Sequence, residues 1–245
     1  VSVGDYQAGV SQDRMIAGIE KLEQEQEPTM LVIPETVLLP DAEDSAHVQM
    51  AMLNHCGGKM RNRFAILDIY EGDKNREGTS GDVISGFRSK IGVQFLDFAA
   101  AYYPWLNTSV FQNDSLSYLH ISNKTFLQSI LREELISEGR EMEDSKRKAV
   151  SERIDAMTKG DLSDREKSDV NNILWVSSPV FKSIILAMKE KLNLLPPGPA
   201  MAGVYTMIDH TRGIWKAPAN VTLNMVVSPS INLSADDQED LNIPP

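Results

Sequence analysis

The sequence predicts an α/β fold: a mixed β-sheet flanked by helices, with a charged helical insertion. Three observations carry it. Two short apolar runs, at 29–33 (TMLVI) and 64–70 (FAILDIY), bracket a segment of helical periodicity at 41–56, and strand, helix, strand is how an α/β sheet begins. A third run, 93–106, combines β-branched and aromatic residues with a stop at Pro104. Between 132 and 169 more than half the positions are charged, with both signs interspersed, which reads as solvated helix.

In chain order, Ser11 can cap a first helix on which Met15, Ile16, Ile19 and Leu22 recur at helical spacing before Pro28. Pro34 closes the first apolar run. In the second helix, Ala46, Met50 and Leu53 share a face and Gly57 stands where a terminating glycine belongs. After 64–70 comes a polar loop, 71–82, and then the run at 93–106, whose first half is expected to be a strand. The stretch 123–169 is expected to form one or two exposed helices broken near Gly160, with too few apolar residues for a core. Ser163 and Glu166 have capping-box spacing and restart the helix there. Ser178 and Pro179 open a further helix whose face is Val180, Ile184, Ile185, Met188 and Leu192. A helix over 200–210 stopped by Gly213, a strand at 223–227 and a short helix begun by Ser234 and Asp237 complete the chain as one domain, with 123–177 as the insertion.

Composition excludes several functions. With 24 basic against 35 acidic residues, the net charge of −11 lacks the clustered cations that a general nucleic-acid or anionic-membrane binder needs. No apolar run approaches the roughly 18 residues of a membrane span. The one cysteine cannot form an internal disulfide, which suits synthesis in a reducing cytosol.

Chemistry-bearing patterns are sparse. Cys56, Gly57, Gly58 and Lys59 imitate part of a phosphate loop, but the earlier glycine and the Ser or Thr after the lysine are missing. His47, His55 and Cys56 are near in sequence, yet the histidines are eight apart and do not share a helical face, so no zinc set is expected. Asp68, Glu71 and Asp73 follow a strand, where open α/β sheets gather acids and Mg²⁺ ligands. Without a nucleophile or base beside them they read better as a solvated acidic loop, and a small-molecule enzyme built on them is the alternative reading. No catalytic residue, metal or cofactor is expected. In GIWKAPAN (213–220), Gly213 permits a turn, Trp215 is expected to anchor it in the core, and Pro218 holds the exit extended.

Four segments together resemble the tail sheath proteins of contractile injection systems of the antifeeding-prophage and Photorhabdus-virulence-cassette type: 55–68, 99–106, 178–197 and, most specifically, 196–220. In the last, Gly203 and Tyr205 on a helix are followed in order by Asp209, Arg212, Gly213, Trp215, Lys216, Ala217 and Pro218. The resemblance implies a structural subunit that stacks in hexameric rings around an inner tube and contracts to drive it through a target envelope. The implied partners are other sheath subunits, the inner tube, and baseplate and cap proteins, with no nucleic acid and no direct membrane insertion. Assembly in a bacterial cytoplasm, as part of a released or membrane-anchored particle, is likewise implied. The family's terminal arms have no counterpart in these residues, so the 245-residue body is expected to associate weakly by itself.

Overall fold

A computed structural model describes residues 9–76, 81–137 and 142–242. The fold is mixed α/β, as the sequence predicts. The chain divides into two compact units, one of Val1–Thr108 with Leu194–Pro245 and the other of Ser109–Asn193, so the helical unit is wider than 123–177.

The first unit opens with α1 (Gln12–Lys21), which buries Met15 and Ile19. Strand β1 (Met30–Val32) leads to α2 (Ala42–Leu53), whose first turn is capped by Asp41, the carboxylate accepting from the N–H groups of Glu43 and Asp44. Strand β2 (Phe64–Asp68) follows, then α3 (Val83–Ile91) and β3 (Ala99–Tyr102). The three strands are parallel in the order β1-β2-β3, with Leu31 opposite Ala65 and Ala65 opposite Ala99. The core pools Met15 and Ile19 of α1, Val48 and Met52 of α2, and Ala65 and Leu67 of β2.

Two expectations fail here. Gly57 does not end the second helix, which continues as a π-helix over Asn54–Met60 and stops at Arg61, where φ is 55°. A Cβ on Gly57 would lie 2.5 Å from Cβ of Phe95, so this glycine allows close approach and does not terminate the helix. In 93–106 it is not the first half that is extended: Phe95 takes a left-handed backbone (φ 58°), a 3₁₀ turn spans Leu96–Phe98, and the strand begins only at Ala99. Phe95, Leu96 and Phe98 instead pack on the core from this turn.

Beyond β3, strand β4 (Leu106–Thr108) belongs to a second, antiparallel sheet.

The second unit contains α4 (Lys124–Ser137), α5 (Asp144–Ala156), α6 (Asp164–Ser177) and α7 (Pro179–Leu192). The expectation that the charged stretch has no core is wrong. Leu127 and Leu131, Val150 and Ile154, and Val170 and Leu174 each stand one helical turn apart, and these narrow stripes meet Tyr118, Phe181 and Ile185 in a buried cluster. Charge covers the outside, with Arg132 paired to Asp155 and Arg153 to Asp169. The restart after Gly160 is as read: the Ser163 N–H donates to Glu166 Oε2 (2.8 Å) and the Glu166 N–H to Ser163 Oγ (3.4 Å). Ser178 caps α7, its Oγ accepting from the Phe181 N–H at 2.9 Å, and Glu134 of α4 caps the same end by accepting from the Val180 N–H at 2.8 Å. Among the described residues no single helix is long and apolar enough to cross a membrane; only the bent pair α6 and α7 has the length and composition together, and its Val170, Leu174, Phe181 and Ile185 are buried in this core.

The chain then returns through β5 (Leu194–Leu195), α8 (Gly198–Arg212), β6 (Val226–Pro229) and α9 (Ala235–Asn242). The antiparallel sheet has the order β5-β4-β6. Its last strand starts at Val226 and not at 223, because Met225 has φ 60°. Ser234 and Asp237 open α9 as read, exchanging hydrogen bonds between each side chain and the other's N–H.

Candidate functional site

The segment carrying the family-like residues is α8 and the turn after it. Pro197 and Pro199 flank Gly198 and leave its N–H as the donor of the first turn. Asp68, the last residue of β2, supplies the acceptor: its Oδ1 lies 2.6 Å from the Gly198 nitrogen. The carboxylate is 2% exposed, and burial pushes its pKa up to about 6 against the lowering effect of that hydrogen bond. Asp68 Oδ2 has no partner among the described residues. This aspartate therefore belongs to the frame and not to a solvated loop, a correction to the sequence reading.

Helix α8 lies on β1 and β2 and buries Val204 and Ile208. Tyr205 points to the sheet as well. Its hydroxyl is 2.5 Å from that of Tyr102, and its ring tilts against Phe64 with centroids 6.1 Å apart. Gly203 faces open space, since a Cβ there would meet nothing within 4 Å. Asp209 and Arg212 are exposed on the last turns, and neither forms an ion pair among the described residues.

Gly213 ends the helix with φ 88° and ψ 158°, a conformation open essentially to glycine alone, and its N–H donates to Ile208 O at 3.2 Å. The Lys216 N–H closes the next turn onto Gly213 O at 3.1 Å. Trp215 does not enter the core. It is 85% exposed, beside Ile214 at 84%. The backbone at Gly213 swings the chain so that the indole folds back over the glycine itself: a Cβ on Gly213 would be 2.3 Å from Cη2 of Trp215. Ala217 is exposed and Lys216 and Pro218 half-buried, so the segment forms an outward tip of two large apolar side chains beside Arg212 and Lys216. A patch of this kind on a rigid helix end suits a partner contact.

The other candidates do not converge. Glu71 pairs with Lys74 at 2.6 Å, Asp73 is half-buried, and among the described residues no three His, Cys, Asp or Glu side chains could hold a metal ion together. Cys56 is fully buried inside the π-helix, where desolvation raises its thiol to about 11, and Lys59 pairs with Glu23 at 2.5 Å. His47 is exposed while His55 is buried, so they present no joint site. His55 Nε2 accepts from Arg63 Nη1 at 3.1 Å, and burial lowers its pKa. Arg63 also donates to Leu22 O and Glu25 O, tying the end of the first helical segment to the start of β2.

Sequence reasoning missed three of these roles: Asp68 as the cap of α8, Arg63 as a buried tie, and Glu134 as the cap of α7. Each joins residues at least 38 apart. The only early signal was an acid at a strand end and a PGP triplet elsewhere. Compared with models of protein families the chain matches none, and no curated protein is significantly similar to it.

Proposed function

We propose that the chain is the body of a sheath subunit in a contractile injection machine, polymerising around an inner tube and contracting to drive it through a target envelope. The observation that carries this reading is the segment 196–220. Its residues follow the sheath-like order, and its helix, held on the sheet through Asp68 and Tyr102, leaves Ile214 and Trp215 exposed, which supports a contact role for them. Work in such a machine comes from two lattice arrangements of one sequence that differ by a few kcal/mol per subunit, summed over many subunits. No cofactor enters that scheme. The partners are further sheath subunits, the inner tube, and baseplate and cap proteins.

The test is negative-stain microscopy of the full-length protein, alone and coexpressed with its inner-tube protein. Stacked rings or tubes are the expected outcome, and Trp215→Ala should reduce them while leaving the fold intact. A full-length protein that stays monomeric in both preparations rejects the reading.

A further inference from the structure

We propose that α9 is an electrostatic strap, held on the first unit by Arg76 and Arg88 and released where those two charges are screened or removed. The proposal does not rest on the sheath reading. Of the eight residues Ala235–Asn242, four are acidic and none is basic. From Ala235 to Leu241 no residue is buried, and Leu241, the one large apolar side chain, is only half-buried. A helix of that length does not persist in water by itself, because a costly nucleus is repaid by too few hydrogen bonds.

Its order comes from two guanidinium groups. Arg88, on α3, donates from Nη2 to Leu241 O at 3.1 Å, which satisfies one of the carbonyls that a helix C-terminus leaves unpaired and sets positive charge at the negative end of the helix dipole. Arg76, in the loop after β2, donates from Nη1 to Asp237 O at 3.4 Å and lies 3.9 Å from the Asp237 carboxylate and 3.5 Å from that of Asp240. Asp82 aims this guanidinium, accepting from Nε at 3.2 Å and from Nη2 at 3.0 Å. Among the described residues no other side chain outside 234–242 forms a hydrogen bond or ion pair with α9.

Such a joint responds to salt as an apolar one does not. Partly exposed ion pairs contribute little each and weaken as counterions screen them, whereas burial of apolar surface by Leu241 would not weaken. With α9 away, Arg88 keeps no hydrogen-bond acceptor among the described residues and Arg76 keeps only Asp82. Release therefore brings two cations forward on a chain of net charge −11.

The experiment follows the helical ¹³Cα shifts of α9 in the labelled full chain, with those of α2 as the reference for an intact fold. Raising sodium chloride from about 0.01 M to about 1 M shortens the screening length from about 30 Å to about 3 Å, and α9 should lose at least about half its helical offset while α2 keeps its own. Asp240→Lys, which turns an attraction to Arg76 into a repulsion, combined with Arg88→Gln should produce that loss at low salt. Leu241→Ala alone should leave most of the offset in place. Full helical shifts at high salt or in the double variant, an α9 already unfolded at low salt, or a larger loss from Leu241→Ala than from the double variant would each overturn the proposal.

Discussion

The carboxylate of Asp68 accepts a hydrogen bond from the N–H of Gly198 at 2.6 Å, joining the end of the central parallel strand to the start of a helix 130 residues later. That one contact sets where the helix begins and hence where its far end, with Ile214 and Trp215, is presented.

It also makes stability depend on pH. The folded pKa of Asp68, about 6, lies above the ordinary 3.8, so ionisation opposes folding. The neutral form's advantage is full below about pH 4 and is lost as pH rises through 6, with an upper size of about 3 kcal/mol. His55 acts oppositely, because its lowered pKa means that stability falls as pH drops through and below 6.5. Comparing Asp68→Asn with the parent separates the two: the parent should gain stability relative to the variant between pH 7 and pH 5. Parallel melting curves at both pH values would contradict this.

Two glycines of α8 should respond in opposite directions to alanine. At Gly198 a Cβ would lie 2.4 Å from Asp68 Oδ2, and Gly198→Ala is expected to cost about 1–3 kcal/mol through overpacking. At Gly203 the space is open, and Gly203→Ala should stabilise by up to about 1 kcal/mol through helix propensity. Urea denaturation of both variants gives the signs directly.

Trp215→Ala should change stability by less than about 1 kcal/mol, since the ring is exposed. Gly213→Ala should cost about 1–3 kcal/mol, from its backbone conformation and from collision with the indole. The double variant should recover the part due to collision. A strictly additive double-mutant cycle would show that ring and glycine do not touch in solution.

Excising the helical unit should leave the α/β unit folded. Leu106 pairs with Leu195 and Asn107 with Leu194 in an antiparallel ladder, so the cut ends are already neighbours. A short glycine-containing turn can close them. The shortened chain should show a cooperative melt by circular dichroism. Deleting only 132–169 should fail instead, because it strips Val150, Ile154 and Met157 from the cluster around Phe181.

Reading the helical unit from sequence went astray for an identifiable reason. Per helix, the apolar stripe is as narrow as Leu127 with Leu131 or Val170 with Leu174, which looks like a solvated face. Only when four helices pool such stripes does a core arise, and pooling is invisible to any local window. Trp215 failed in the reverse direction. A large aromatic after a turn is usually buried, but the conformation of Gly213 aims this one at its own turn and the solvent.

What the sequence determined by itself is what depends on near neighbours: the strands around 30–32 and 64–68, the caps at Ser163 and Ser178, and the end of the long helix at Gly213. Propensity, capping and φ preference act within a few residues, so the letters suffice. Tertiary structure alone decided that Asp68 is a buried cap, that Gln49 is buried with its amide donating to Asp68 O, and that the charged helices enclose a core. Those depend on which surfaces exclude water, and desolvation is a property of the packed molecule that no short stretch of sequence possesses.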